Sequence, residues 1–183
     1  MAKLISKTYG EAIFELAVSE NKTDIFMEEI QMILQLMDEN PQFADIMKHP
    51  KITKEEKLQV VAEVFKGRIS DELTGFINII VTKGRYSNIR EILEYFLEQV
   101  KNLKGIGVAY VTSAVPLRQE QEKAVEEKLL ETTGYKTMEM HYSVDKKLIG
   151  GLVIRIGDRV VDSSIATKLS TLEKQLLKIQ LNN

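Results

Sequence analysis

The chain has 183 residues, with 25 basic and 27 acidic side chains and a formal net charge of −2. The two signs are interspersed, so there is no basic stripe to follow a phosphate backbone, and nucleic acid is not an expected partner. The absence of cysteine excludes a disulfide framework and a thiolate zinc site, and no run approaches the ~18 consecutive apolar residues of a membrane span.

The length allows one or two domains with a substantial core. The N-terminal stretch carries charges through its apolar positions and has no signal-peptide core, so any membrane association is expected to come through another protein.

Residues 3–20 read as a helix with two apolar arcs, Ile5, Tyr9, Ala12, Ile13 and Leu16 on one and Gly10, Phe14, Ala17 and Val18 on the other. A helix packed on one side needs one arc. Two readings stay open: a central helix buried among several neighbours, or one arc in the core and the other receiving a partner helix past small residues. Thr23 to Glu39 is a second helix, ended by Asn40-Pro41, and Phe43 to Lys48 a short third. The run Thr53-Lys54-Glu55-Glu56 is a capping box opening a fourth helix, which Gly67 ends. Ser70 starts a fifth, with Leu73, Phe76, Ile77, Ile80 and Val81 inward, Gly75 and Ile79 on another side, and a stop at Gly84. Ile89, Ile92, Leu93, Phe96 and Val100 mark a sixth. Short loops between about six amphipathic helices predict an antiparallel bundle.

At Gly105-Ile106-Gly107 the period changes from helical to alternating, which places a domain boundary between residues 1–104 and 105–183. A strand through Val108, Tyr110 and Thr112 ends at Pro116, a charged helix follows from Leu117 to Thr132, and Tyr135 to Val144 is the next strand. Ala124, Val125, Leu129 and Leu130 of that helix need a sheet to pack on. Leu148 to Ile165 then reads as a β-hairpin turning at Gly157-Asp158, with Ser163 or Ser164 capping a last helix. The stripe of that helix, Ile165, Leu169, Leu172, Leu176 and Ile179, is expected to lie back on the hairpin. The fold class is α+β: a helical bundle, then a small α/β-layer domain with a mixed or antiparallel sheet.

Catalytic chemistry is missing. His49 sits beside a proline and His141 inside a strand pattern, neither in a motif that supplies a nucleophile with its base. Gly105-Ile106-Gly107 lacks the later glycine of a dinucleotide loop, and Gly150-Gly151 leads into a strand. No cofactor, metal or enzyme activity of its own is expected.

The run Leu148, Ile149, Gly150, Gly151, Ile154, Ile156, Gly157, Asp158, Val160, Asp162, Ser163, Ile165 and Leu169, with Asp145 ahead of it, resembles the C-terminal signature of the δ subunit of F-type ATP synthase. That family is similar to the mitochondrial oligomycin-sensitivity-conferring protein. Tyr9, Ala12 and Phe14 match its first helix, where Gly10 replaces the usual alanine, and Gly84-Arg85 matches a corner after its fifth. The resemblance implies a non-catalytic stator subunit, peripheral at the cytoplasmic side of a bacterial cell membrane and reaching the membrane only through the complex, that couples proton transport to ATP synthesis or hydrolysis. Its helical domain would grip the N-terminal helix of an α subunit near Tyr9, Ala12, Phe14, Ile79 and Arg85. The second domain would meet the b subunits of the peripheral stalk, with Gly150, Gly151, Asp158, Asp162 and Leu169 in the stalk-facing part. The competing reading is a cytosolic α+β regulatory protein whose sheet binds a small ligand or RNA through Tyr110, Tyr135 and Tyr142.

Overall fold

Six helices come first, and their ends fall where local chemistry puts them. In the computed structural model, which describes residues 2–65 and 67–181 and the side chains of 4–65 and 67–175, they are α1 (Ala2–Ser19), α2 (Thr23–Glu39), α3 (Pro41–Lys48), α4 (Lys54–Phe65), α5 (Asp71–Thr82) and α6 (Ile89–Lys104). The capping box of α4 forms as expected: the Thr53 N–H donates to Glu56 Oε2 at 2.8 Å, and the Glu56 N–H to Thr53 Oγ1 at 3.2 Å. Helix α3 begins two residues before the expected Phe43, because Pro41, with its fixed φ and missing N–H, suits a first helical turn. Ser70 does precede α5, but its hydroxyl donates to Glu29 Oε2 of α2 at 2.7 Å and its N–H to Glu29 Oε1 at 2.9 Å. A carboxylate from another helix thus sits at the positive end of α5.

The chain divides into two compact units, residues 1–101 and 102–183. The core of the first is built around Phe96 of α6, whose ring lies 6.4 Å from those of both Phe14 and Phe26. Ile13, Ala17, Ile30, Ile77 and Leu93 belong to the same buried cluster. Phe43 joins a second aromatic group, 6.1 Å from Phe65 and from Tyr86. Burial pushes the Tyr86 hydroxyl up to about 12, and that oxygen has no hydrogen-bond partner among the described residues. Gly10 has a packing reason: a side chain there would overlap the Tyr95 ring of α6, so the glycine that weakens α1 intrinsically is what lets the two helices close.

The second unit runs β1 (Ile106–Ser113), α7 (Gln119–Thr133), β2 (Thr137–Val144), β3 (Leu152–Ile156), β4 (Arg159–Asp162) and α8 (Ile165–Leu181). The sheet is mixed, in the order β2-β1-β3-β4, with β1 and β2 parallel and the other pairs antiparallel. The parallel pair requires a crossover, which α7 supplies while packing on β2. Ala109 and Val111 of β1 are buried on one face and Tyr110 is exposed on the other, so the alternation seen in the sequence is real.

One expectation fails. The α8 stripe does not lie back under cover: Ile165, Leu169 and Leu172 remain 43%, 52% and 54% exposed. The reason is how α8 starts. Gly151, at φ +79°, brings the chain so close to the next segment that a side chain on it would meet the Ser163 carbonyl oxygen at 2.5 Å. The Ile165 N–H donates to Gly150 O at 3.0 Å, tying the first turn of α8 to the glycine pair rather than to the strands. Of the two candidate caps, Ser164 acts: its hydroxyl accepts from the Thr167 N–H at 3.2 Å. Ser163 instead binds the hairpin, its hydroxyl donating to Leu152 O at 2.9 Å. Leu176 and Ile179 lie outside the described side chains.

Two outcomes follow for stability. Gly151→Ala should destabilise the protein by ~2–4 kcal/mol, since it combines a left-handed backbone with a clash against main chain. Gly75→Ala, in open space on α5, should be neutral or stabilising by up to ~1 kcal/mol; thermal melts of both variants check the contrast. The second outcome concerns Asp162, whose carboxyl is held below its usual range by hydrogen bonds from Ser164 and Thr167. A depressed carboxylate contributes stability that is present above its unfolded pKa, about 3.9, and lost as pH falls through the lower folded value. Asp162→Ala should therefore lower the melting temperature at pH 7, and the gap to the unsubstituted protein should narrow as pH falls below about 4.

Candidate interaction surfaces

Helix α1 resolves its own two-arc pattern. Ser6, Gly10, Ile13 and Ala17 are buried, with Phe14 half-buried on the flank that faces Phe96. Ile5, Tyr9 and Leu16 are half-buried on the other flank and Ala12 is exposed between them. The apolar part of α1 therefore covers more than half its circumference, and α2 and α6 bury only one side of it. Of the residues expected to meet a partner helix, Tyr9 and Ala12 lie together on this open flank and Phe14 lies across from them.

On α5, Leu73, Ile77, Ile80 and Val81 point inward and Ile79 points out, 52% exposed, one turn beyond the half-buried Gly75. Asn78 beside it keeps its side-chain oxygen buried without a partner among the described residues. The ammonium of Lys22, at the corner between α1 and α2, bonds the Glu72 carboxylate in the first turn of α5. Glu20 and Glu72 hold the Lys22 pKa well above its ordinary value, while the Glu72 carboxyl is lowered, chiefly by the bond from Lys22. Sequence reading does not find this pairing, since residues 50 positions apart carry no local signal. Arg85 is exposed in the turn after α5, where its N–H donates to Ile80 O at 2.9 Å.

In the second unit the signature residues divide by role. Gly150 and Gly151 serve close approach: a side chain on Gly150 would meet Ile165 Cδ1 at 2.7 Å. Asp162 is occupied within the fold, accepting from the Ser164 N–H at 2.8 Å and from the Thr167 hydroxyl at 2.7 Å. Asp158 is exposed in the hairpin turn and Leu169 is exposed on α8. Of these five positions, Leu169 is the one that offers apolar area to a partner.

The open face of the sheet carries a stack that sequence reading does not assemble. Tyr110 of β1 lies 4.9 Å from the His141 ring of β2 at an interplanar angle of 18°. The Arg155 guanidinium of β3 sits 4.8 Å from the centre of the same tyrosine. Cross-strand register pairs Tyr110 with both residues, which is why they meet. Glu139, 2.9 Å from His141, makes the platform mixed in charge rather than basic. Among the described residues no group of three metal-binding side chains occurs, and no helix is long and apolar enough to cross a membrane.

Comparison with known proteins places this architecture. Residues 5–176 match the family model described as the ATP synthase delta (OSCP) subunit. The chain is 54% identical over 181 residues to ATP synthase subunit delta of Lachnoclostridium phytofermentans, covering 99% of this chain and 100% of that one. It is 34% identical to the same subunit of Alkaliphilus oremlandii, over 98% and 99% of the two chains. In fold it is similar to a chain of the Toxoplasma gondii mitochondrial ATP synthase hexamer, with a TM-score of 0.75 at 15% identity over 94% and 97% of the two chains. These matches set aside the regulatory ligand- or RNA-binding reading. By the full-length matches to the family model and to the bacterial relatives, the chain belongs to the ATP synthase delta (OSCP) subunit family, a non-catalytic peripheral-stalk component of the F-type ATP synthase.

Proposed function

We propose that this protein joins two different partners, one at each unit: the N-terminal helix of an α subunit on the helical unit, and the b subunits of the stalk on the α/β unit. The observation that supports this reading is that each unit leaves apolar side chains uncovered on its helices, Ala12 of α1 and Ile79 of α5 in the first and the α8 stripe in the second. An amphipathic helix laid on such side chains is a recurrent mode of recognition, and it supplies the apolar layer that the unit lacks.

On the helical unit the partner helix would lie over Tyr9, Ala12 and Leu16 of α1 and Ile79 of α5 and reach Arg85, while Phe14, on the opposite flank of α1, steadies that helix against Phe96. Ala12 has a small side chain and permits a partner backbone to come near; Tyr9 presents a ring with a polar tip, a favoured anchor at interfaces. Two independent joints on one chain act together. Once one partner is bound, the second association is effectively intramolecular, so modest contacts resist a large load. The protein would hold the catalytic head static against rotation on the cytoplasmic side of a bacterial membrane. It would take no chemical part in ATP synthesis or hydrolysis.

The test is calorimetric titration of the full chain with a synthetic peptide that reproduces the first helix of the α subunit from the same organism. One-to-one saturable binding is expected. Ala12→Asp should weaken it by about tenfold or more, because a charge would be buried in an apolar contact, while the melting temperature stays within a degree or two of the unsubstituted protein because Ala12 is exposed. Unchanged affinity in that variant would remove Ala12 from the contact, and no binding by the parent chain would reject the assignment of this partner.

A further inference from the structure

Ile149 stands out in the second unit. It has φ +66° and ψ −40° and its side chain is 63% exposed. This is the rare γ-turn region, and a β-branched residue there is a true outlier, since Cβ crowds its own backbone. Asparagine or glycine would occupy the position with less strain. A large apolar side chain held there with most of its surface in solvent adds little burial to the isolated fold.

The surroundings over-determine this conformation. The Asp145 carboxylate accepts from the Lys147 N–H at 2.9 Å, Asp145 O accepts from the Leu148 N–H at 3.2 Å, and the Ile149 N–H reaches Lys146 O at 3.2 Å. The carbonyl of the next residue, Gly150, accepts from the Ile165 N–H. Ile149 is thus fixed at the N-terminal end of the α8 stripe, ahead of Ile165, Leu169 and Leu172. Strained residues persist where the structure around them holds them for a use.

Charge identifies what fits. Lys146 and Lys147 flank Ile149 on the 3-10 turn Lys146–Leu148, and Lys168 flanks the stripe on α8; all three are exposed. The carboxylates of Asp145 and Asp162 are committed to backbone and hydroxyl groups. Glu173 is the one acidic residue among the described side chains of α8, and it lies two turns beyond the first contact at Ile165. We propose that Ile149 is a pre-set anchor for an acidic amphipathic helix, which lays its apolar face on Ile149, Ile165, Leu169 and Leu172 and its carboxylates against Lys146, Lys147 and Lys168. This rests on the stalk reading above and deepens it: the acidic helix is the segment of the b subunits that the α/β unit meets.

The experiment uses the full chain and a synthetic peptide reproducing the last helix of the b chain from the same organism, titrated at low and high salt. The parent chain should bind, and more weakly as salt rises. Ile149→Gly and Ile149→Asn should each bind about tenfold or more weakly, while Ile149→Gly melts at or above the parent temperature by roughly 2–4 °C as strain is released. A purely structural residue would behave oppositely, losing stability on substitution. If the parent binds and both variants bind equally well, or if Ile149→Gly melts lower, the anchor is overturned and the stalk contact stands. Salt-independent binding overturns the lysine contribution. If the parent chain does not bind at all, the stalk reading fails and the anchor with it.

Discussion

The approach of the Gly151 backbone to the Ser163 carbonyl decides the shape of the second unit. Because no side chain intervenes, the connection before β3 and the exit from β4 pass within contact distance, and α8 is launched from that crossing. Ser164 and Asp162 then cap α8 in a fixed place, and Ile165 is pinned to Gly150. A helix tied so firmly at its first turn cannot rotate its stripe to suit the strands. Local hydrogen bonds win over burial of Ile165, Leu169 and Leu172, and the apolar area is left for something else to cover.

The first unit reaches a similar outcome by other means. Here α1 carries an apolar surface wider than α2 and α6 can bury, and the closeness allowed by Gly10 against Tyr95 sets which side is used. Phe14 goes to Phe96, and Tyr9 and Leu16 pack half-buried at the edge of the core, while Ala12 stays exposed. Area exposed this way is costly at roughly 25 cal/mol per Å² of apolar surface kept from burial. A monomer selected for its own stability would place polar residues at such positions. Retaining apolar ones in both units fits a protein that is complete only within a larger assembly.

How much of this was legible in the sequence depends on the range of the interactions. The α4 capping box and the Gly157-Asp158 turn are local devices, and they mark element ends to within about two residues. The sheet was legible as strands but not as an order, because the parallel pairing of β1 with β2 depends on α7 as a crossover rather than on any residue within the strands. Contacts across long separations were invisible: Lys22 with Glu72, Ser70 with Glu29, and the row His141, Tyr110, Arg155. The candidate sites split the same way. Periodicity put Ile79 off the core stripe of α5, but the two arcs of α1 left the facing of Tyr9 open, and the signature glycines and Asp162 could not be assigned between fold and surface, since a motif records which residues recur and not which way they face.

The signature run shapes its surface indirectly. Its most recognisable members, Gly150, Gly151 and Asp162, are consumed in making the crossing and the cap, so they shape the surface without belonging to it. Two members that face outward from α8, Ile165 and Leu169, are ordinary apolar residues whose identity looks replaceable in the sequence. A rigid frame with a replaceable apolar face is a sound arrangement for a joint under load. The frame holds α8 in one place, and the outer apolar side chains of that helix can vary without disturbing the glycine crossing beneath them.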